Sequence, residues 1–555
     1  MFRRLRGLLR KRCEQVASRV LDVIVMATSK RWILWISVPL LLMLAGAAIA
    51  ARVLSRRIEP FIREQTLEYL RQRFDSDVEI GSLHVSMPIG SPLGVLLRGG
   101  RGALARVTAE RVSLWHKHRH DRPPLVAMRK FTFQVELHSL WNRPVRATMV
   151  QLEGLRIAVP PKGTHAPRAK QNGPRTSDGK DATPSVIIDT IIGDGAKLSI
   201  LPKDPKKDPL EFDIRKLKLE SAGLGIAMRY TAELTNPKPP GLIRCKGRFG
   251  PWVPEDPSDT PLAGEYVFEN ADLSVFKGIA GRLDSTGEFE GTLDNIVADG
   301  ETRTPDFRLT MSGNPMPLQT KYHAIIDGGN GNTLLQPVEA TLGRTRFVVR
   351  GGVVRGAGES GKTVALDVVF REGYIEDLMR LAMKGPKPMM RGPIDLRVKL
   401  HWPPGKGDFA DKLRLSGAFA LRQAHFTSAT VQDKIDGVSS RAQGIPGDKA
   451  VDEVRATLDG RFRLANGVIE FSRLRLTIPG ADLALAGSYT FDKEAVDFRG
   501  KLRLQAKVSQ TMTGWKRWAL KPADPFFAKD GAGTQLQVRI DGTREQPHFG
   551  RDRGK

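Results

Sequence analysis

The sequence predicts a mainly β protein: an N-terminal transmembrane helix, then an elongated, twisted, mostly antiparallel β-sheet with a few short helices. Three observations carry this. Residues 32–51, WILWISVPLLLMLAGAAIAA, hold no charge and are flanked by Arg31 and Arg52. From about residue 78 to the end, apolar and polar side chains alternate with period two. Stripes of helical period are few among those alternating segments.

The first 31 residues form a basic tail. Arg3, Arg4, Arg6, Arg10, Lys11, Arg12, Arg19, Lys30 and Arg31 oppose only Glu14 and Asp22. That excess of cations places the N-terminus in the cytoplasm and the bulk of the chain across the membrane. Arg52, Arg56, Arg57 and Arg63 on the far side weigh against this orientation. Leu5, Leu8, Leu9, Val16, Val20 and Val23 recur at helical intervals, which fits either an amphipathic helix on anionic lipid or a plain topology signal. The following apolar stretch, at ~1.5 Å rise per residue, is long enough for a ~30 Å hydrocarbon core. A secretory signal is the competing reading, with Ala47, Ala48 and Ile49 imitating a cleavage site, but its apolar region would be only ~7–15 residues. Trp32 and Trp35 suit the headgroup level, and Pro39 is tolerated inside a membrane helix. Residues 56–75 then carry Ile58, Phe61, Ile62, Tyr69, Leu70 and Phe74 at helical spacing, predicting one amphipathic helix that feeds a strand at Val78.

Residues 76–550 read as the β region. Phe131, Phe133 and Val135 alternate with Thr132 and Gln134, and Leu210, Phe212 and Ile214 with Glu211 and Asp213. Leu366 and Val368, then Leu396 and Val398, repeat the pattern. Near the end Phe498, Leu502 and Leu504 oppose Arg499, Lys501 and Arg503. Such strands have one apolar and one wet, largely basic face. Asn330-Gly331, Asp459-Gly460, Asn466-Gly467 and Asp541-Gly542 are the expected turns. Helices are expected at residues 373–383 and around Trp515, Trp518 and Ala519. Residues 161–185, almost without apolar side chains, are expected to be a flexible basic loop, and 251–261 a shorter break of the same type. An apolar face this long must find cover. A single long sheet with a continuous apolar concave side satisfies the pattern, and so do two or three β-sandwich domains in a row.

Lysine and arginine number 87 against 61 acidic residues, a net charge of +26. An anionic partner follows, and beside a membrane anchor phospholipid headgroups are more economical than nucleic acid. The two cysteines, Cys13 and Cys245, lie on opposite sides of the proposed span and make no metal-spacing motif. The string GAGESGKT at 356–363 matches a phosphate-binding loop, yet alternating strand residues flank it on both sides. Phosphate binding needs the loop to open a helix, so a hairpin is expected and nucleotide is not. His116, His118 and His120 are interleaved with Lys117 and Arg119, which discourages a dication and predicts a basic turn. No serine elbow, catalytic carboxylate pair or Cys–His pair stands out, so nothing in the sequence calls for an enzyme.

Across most of its length the chain resembles the AsmA-like family, the group that includes TamB and YhdP. The resemblance is carried by the entry helix segment and by blocks at 304–343, 391–419, 431–444, 460–504 and 511–550, among them GRFRLANGVIEFSRLRLTIPGADLALAGSYTF and TMTGWKRWALKPADPFF. The blocks from 390 to 550 match the family's C-terminal part. The resemblance implies an inner-membrane anchor and a periplasmic β-groove, open rather than closed into sandwiches. It also implies a role in phospholipid transport or envelope homeostasis, with outer-membrane or envelope proteins as further partners and no cofactor. The groove lining would then include Phe131, Phe133, Val135, Leu210, Phe212, Ile214, Leu366, Val368, Leu396, Val398, Phe498, Leu502 and Leu504. Thirty-odd strands at ~4.8 Å per step would span on the order of 150 Å. The alternative function is a non-enzymatic scaffold for outer-membrane protein assembly, its groove filled by its own side chains.

Overall fold

The structure, a computed structural model, describes residues 76–86, 104–117, 119–136, 145–161, 186–202, 209–223, 226–356, 361–384, 387–405, 409–446, 453–513, 515–527, 533–543 and 546–551, with Gly46 and scattered residues between 60 and 74. The predicted tail, the membrane segment apart from Gly46, nearly all of the basic loop and residues 552–555 lie outside these. Among the described residues no helix is long and apolar enough to cross a membrane.

Among the described residues twenty-six strands join in one sheet. β1 (Ser76–Ser86), β2 (Leu104–His116) and β3 (Val126–Glu136) pair antiparallel, and β3 continues onto β4 (Val145–Glu153) and β5 (Arg156–Val159). β4 and β5 run parallel to β6 (Val186–Ile200), which makes the sheet mixed. From there the chain meanders antiparallel through β7 (Leu210–Gly223), β8 (Met228–Pro237), β9 (Pro240–Phe249) and β10 (Pro261–Asp272). The middle holds β11 (Ile279–Ala280), β12 (Arg282–Thr292), β13 (Asn295–Leu309), β14 (Met316–Asp327), β15 (Thr333–Leu342), β16 (Thr345–Val354) and β17 (Thr363–Tyr374). The last stretch comprises β18 (Met390–Arg391), β19 (Pro393–Trp402), β20 (Arg414–Phe426), β21 (Ala456–Ala465), β22 (Val468–Ile478) and β23 (Ala481–Thr490). β24 (Ala495–Leu504), β25 (Thr534–Thr543) and β26 (Pro547–Arg551) complete it. β11 and β18 are two-residue side pieces on β13 and β20. Discounting such pieces, the ladder measures on the order of 100 Å along its hydrogen bonds at ~4.8 Å per step, shorter than thirty-odd strands would make it.

A meander reverses at every strand, so its connections fall on two long rims. The rim where β10, β13, β15, β17, β20, β22 and β24 end carries the helical insertions. These are α1 (Ile375–Ala382), α3 (Ala429–Ala442), α4 (Trp515–Leu520) and α5 (Asp524–Phe527), while the opposite rim has, among the described residues, the 3-10 turn Pro257–Asp259 before β10, shorter turns and the four-residue α2 (Phe409–Lys412). The expected helices at 373–383 and around Trp515 correspond to α1 and α4. α3 was not expected, because Asp433, Asp436, Ser439 and Ser440 interrupt its apolar stripe. Those polar residues bind strand ends instead. Gln432 accepts from the Phe426 amide at 3.0 Å and donates to the Val454 carbonyl at 2.9 Å and to Asp436 at 2.8 Å. Asp436 accepts from the Val454 amide at 2.9 Å, and Ser439 donates to the Pro479 carbonyl at 2.8 Å. α1 works alike: Asp377, buried, accepts from the Arg344 amide at 3.0 Å and the Thr345 hydroxyl at 2.9 Å. Asn314 closes the other end of α1 by donating to the carbonyls of Arg380 and Met383.

Every extensive strand contact is between ladder neighbours, and no second sheet covers the first among the described strands. Buried cores gather at the two ends. One joins β1, β2, β3 and β7 with Leu67, Leu70 and Phe74, and Trp252 packs against it. Another joins the rim ends of β19 to β24, around Leu421, Ala456, Ile478 and Leu504, with α1 and α3. A small one lies under β4, β6 and β8. The segment 251–261 is therefore not a free break. Its Trp252 ring meets Phe74 at 5.5 Å and Phe249 at 6.2 Å, and Lys117 donates to the Glu255 carbonyl.

Two expected turns are strand interior. Asp459-Gly460 lies within β21 and Asp541-Gly542 within β25. A Cβ at Gly460 would stand 2.8 Å from the Phe419 ring, so the missing side chain makes room for an aromatic, not for a reversal. Asn330-Gly331 and Asn466-Gly467 are turns as expected.

Candidate functional site

The face opposite the salt bridges is the candidate site, and its continuity follows from register. Directly paired residues point to the same side of a sheet. One row of such pairs runs Leu83, Ala109, Phe131, Leu152, Gly193, Leu217, Ala232, Cys245 and Tyr266 from β1 to β10. It continues through Gly287, Gly300, Tyr322, Val338, Val349, Val368, Val398 and Gly417 to Phe462, Phe471, Gly487, Phe498 and Ile540 in β25. The row contains no charged residue. From β8 to β25 the neighbouring row through Leu335, Leu366, Leu400 and Leu415 has none either. Nor has the row through Leu396, Phe419, Gly460, Leu474 and Leu485 on the other flank. Bulges at Pro337 and within β22 shift the alternation by one residue without breaking the face.

Charges sit on the reverse side. Lys246 pairs with Glu265 at 3.0 Å, Arg422 with Asp395 at 2.6 Å and Arg475 with Asp482 at 3.7 Å, all well exposed. Each such pair contributes little alone, at most ~1 kcal/mol. Their collective effect is to fix which side is wet.

The thirteen residues expected to line a groove all lie on the uncharged face, in two different settings. Val135 and Ile214 are buried in the core at the start of the sheet, and Phe131, Phe133 and Phe212 are half-buried there, with Leu210 exposed at its margin. Leu504 is buried in the core beside α3. Leu396 and Leu502 are half-buried and pack against that same core, while Leu366, Val368, Val398 and Phe498 are half-buried with no second sheet over them among the described strands. These last four belong to one open surface, with Leu396 and Leu502 at its border.

Aromatic rings pave part of it. Phe347 stacks on Phe370 at 5.2 Å, and Phe462, Phe471 and Phe498 follow one another at 6.4 and 5.8 Å. Polar groups on this face form a short band over β8 to β14, which sequence reasoning missed because isolated Tyr, Ser and Thr carry no periodic signal. Tyr322, Tyr266 and Ser285 form a hydroxyl chain that ends on the Glu301 carbonyl, 2.9 Å from Ser285. Thr302 and Thr320 bond each other at 2.7 Å. Burial pushes the Tyr230 and Tyr322 hydroxyls well above the ordinary tyrosine range.

The same burial, next to Tyr230, pushes the Cys245 thiol up to about 11. A thiol of this kind is protonated and inert at neutral pH. Cys245 is expected to resist iodoacetamide at pH 8 in the native protein and to react readily in denaturant; equal rates in both states would contradict the placement. Because its folded pKa lies above the unfolded one, the thiol favours the native state below its ordinary value of 9.0, and that contribution disappears as pH rises toward 11.

The phosphate-loop string is a hairpin: Val354 pairs with Thr363 and β16 with β17 throughout, with no helix after it. Lys362 donates to the Gly331 carbonyl of the adjacent turn, so its ammonium ties two turns together. The segment between β2 and β3 turns as expected at Lys117 and at 119–121, where His120 lies 3.5 Å from Asp77 and Arg119 grips Asp121, while His118 lies outside the described residues. No family model, no curated protein and no solved structure matches this chain.

Proposed function

We propose that this protein is a membrane-anchored envelope component whose sheet forms an open trough, with acyl chains of phospholipid lying on its uncharged face during transport or envelope upkeep. The observation that carries this reading is the charge-free width of three rows from β8 to β25, over which no second sheet lies among the described strands. An exposed apolar surface of that extent is costly in water and calls for a partner. Each methylene laid on it gains ~0.8 kcal/mol. The apolar segment 32–51, the basic tail before it and the blocks that resemble AsmA-like proteins support an inner-membrane anchor with the sheet in the periplasm. The reading needs no catalysis, nucleotide or nucleic acid.

The scaffold alternative draws support from the start of the sheet, where Val135, Ile214 and Trp252 fill the interior with the protein's own side chains. One experiment separates the two. A photoreactive benzophenone residue replaces Val368 on the open face, or Asp367 on the reverse face, in the full chain expressed in cells. Phospholipid adducts at position 368 and none at 367 are expected. Absence of lipid adducts at 368, together with a solvent extract of the purified protein that holds no phospholipid, would favour the scaffold.

A further inference from the structure

Beyond the trough, the helical rim offers a second surface. α3 turns one side to the sheet through Gln432, Ile435, Ser439 and Ala442. Its other side displays Val431 and Val438, 41% and 37% exposed, at two-turn spacing, with Ile445 just past its end at 42%. The apolar line extends beyond the helix at both ends. Met389, 45% exposed, adjoins the start of α3, since the Thr427 amide bonds the Met389 carbonyl at 3.0 Å. At the other end the Ala506 amide bonds the Ala442 carbonyl at 2.8 Å, bringing up the short turn that precedes Met512, 43% exposed.

Cations flank this line. Lys434 and Arg441 share the outer side of α3 with the two valines, at intervals of three or four residues, and Lys387 and Lys507 stand beside its two ends. All four are exposed, and none forms an ion pair among the described residues. A face of single aliphatic side chains bordered by long cationic stems is the pattern that seats at a lipid interface, apolar tips among acyl ends and ammonium groups at the phosphates. A second copy of this chain is a poor occupant, because it would oppose cations with cations on a protein of net charge +26.

We infer that the crest built on α3 docks onto an anionic phospholipid surface. This holds or falls independently of whether the trough carries lipid. The test uses the full chain with vesicles of pure phosphatidylcholine or of phosphatidylcholine with one third phosphatidylglycerol. A photoreactive diazirine residue replaces Val438, and in a control Arg397 on the reverse face of β19. Lipid adducts are expected at 438 with anionic vesicles, at least tenfold fewer with neutral ones, and none at 397. The double change Lys434→Glu and Arg441→Glu, both exposed and away from the core, should lower the adducts at least tenfold while the melting curve stays in place. Should that variant melt early, Lys434→Gln with Arg441→Gln replaces it, and a several-fold drop is expected. Equal adducts with both vesicle types, no response to either double change, or adducts at 438 to protein instead of lipid would each overturn the inference.

Discussion

Leu421→Asp is expected to unfold the final third of the sheet, whereas Leu502→Asp on the same face should leave a folded protein that no longer holds lipid. Leu421 is 1% exposed and packed among Ile394, Ala424 and Ala456 beneath the helical rim. An aspartate there loses the leucine's contacts and buries a carboxylate with no cation facing it, a combined cost of more than about 4 kcal/mol. Leu502 pairs with Leu483 and Leu536 at the border of that core, against which it packs while staying only half-buried. Water reaches a carboxylate at that position, so the structural cost is about 1–2 kcal/mol. What disappears is apolar surface for an acyl chain. Lys501→Asp, one residue away on the reverse face, is the control and should change neither property. Melting curves and phospholipid recovered per folded protein are the measurements. If Leu502→Asp proves as damaging to stability as Leu421→Asp, the face is a closed core and the trough reading fails. Full lipid content in a folded Leu502→Asp would sink acyl binding at that site.

The face itself was legible because alternation is a local property. Phe131, Phe212, Leu366, Leu396 and Phe498 declare their side from two neighbours each, and pairing only had to join them. Its continuity was not legible, since it depends on register across strands, and register is fixed by bulges such as the one at Pro337 that no periodicity announces. Nor was the burial of Val135 and Ile214, which is decided by Phe74 and Trp252, far away in sequence. Helix α3 escaped because its inward side is only half apolar: Gln432, Asp436 and Ser439, which serve strand ends, interrupt Ile435 and Ala442, so the helix lacks the unbroken stripe that would mark it. The turn signals failed in one consistent way. Glycine after aspartate predicts a break at Gly460 and Gly542, whereas the structure uses it inside strands.

That second use of glycine leads to the other large effect. Gly487 sits in the interior of β23, paired with Phe471 on one side and Phe498 on the other, whose rings approach to 5.8 Å. By strand propensity Gly487→Val should stabilise, since β-branched residues favour strands by up to ~1 kcal/mol over glycine. The structure predicts the opposite sign. A Cβ at this position would lie 2.1 Å from the Asp497 carbonyl oxygen and 2.6 Å from the Phe498 Cα. Both are backbone atoms of β24, so no side-chain rotation relieves the contact. The two strands must part, which breaks their ladder and moves Phe498 off the ring track, at a cost of more than about 3 kcal/mol. Ala486→Val, the next residue on the reverse face, meets solvent beside Arg499 and should be neutral or slightly stabilising. Denaturation midpoints of the two variants decide between propensity and packing. Equal midpoints would mean that β23 and β24 are not held this close, and the continuous uncharged row through Phe471, Gly487 and Phe498 would lose its geometric basis.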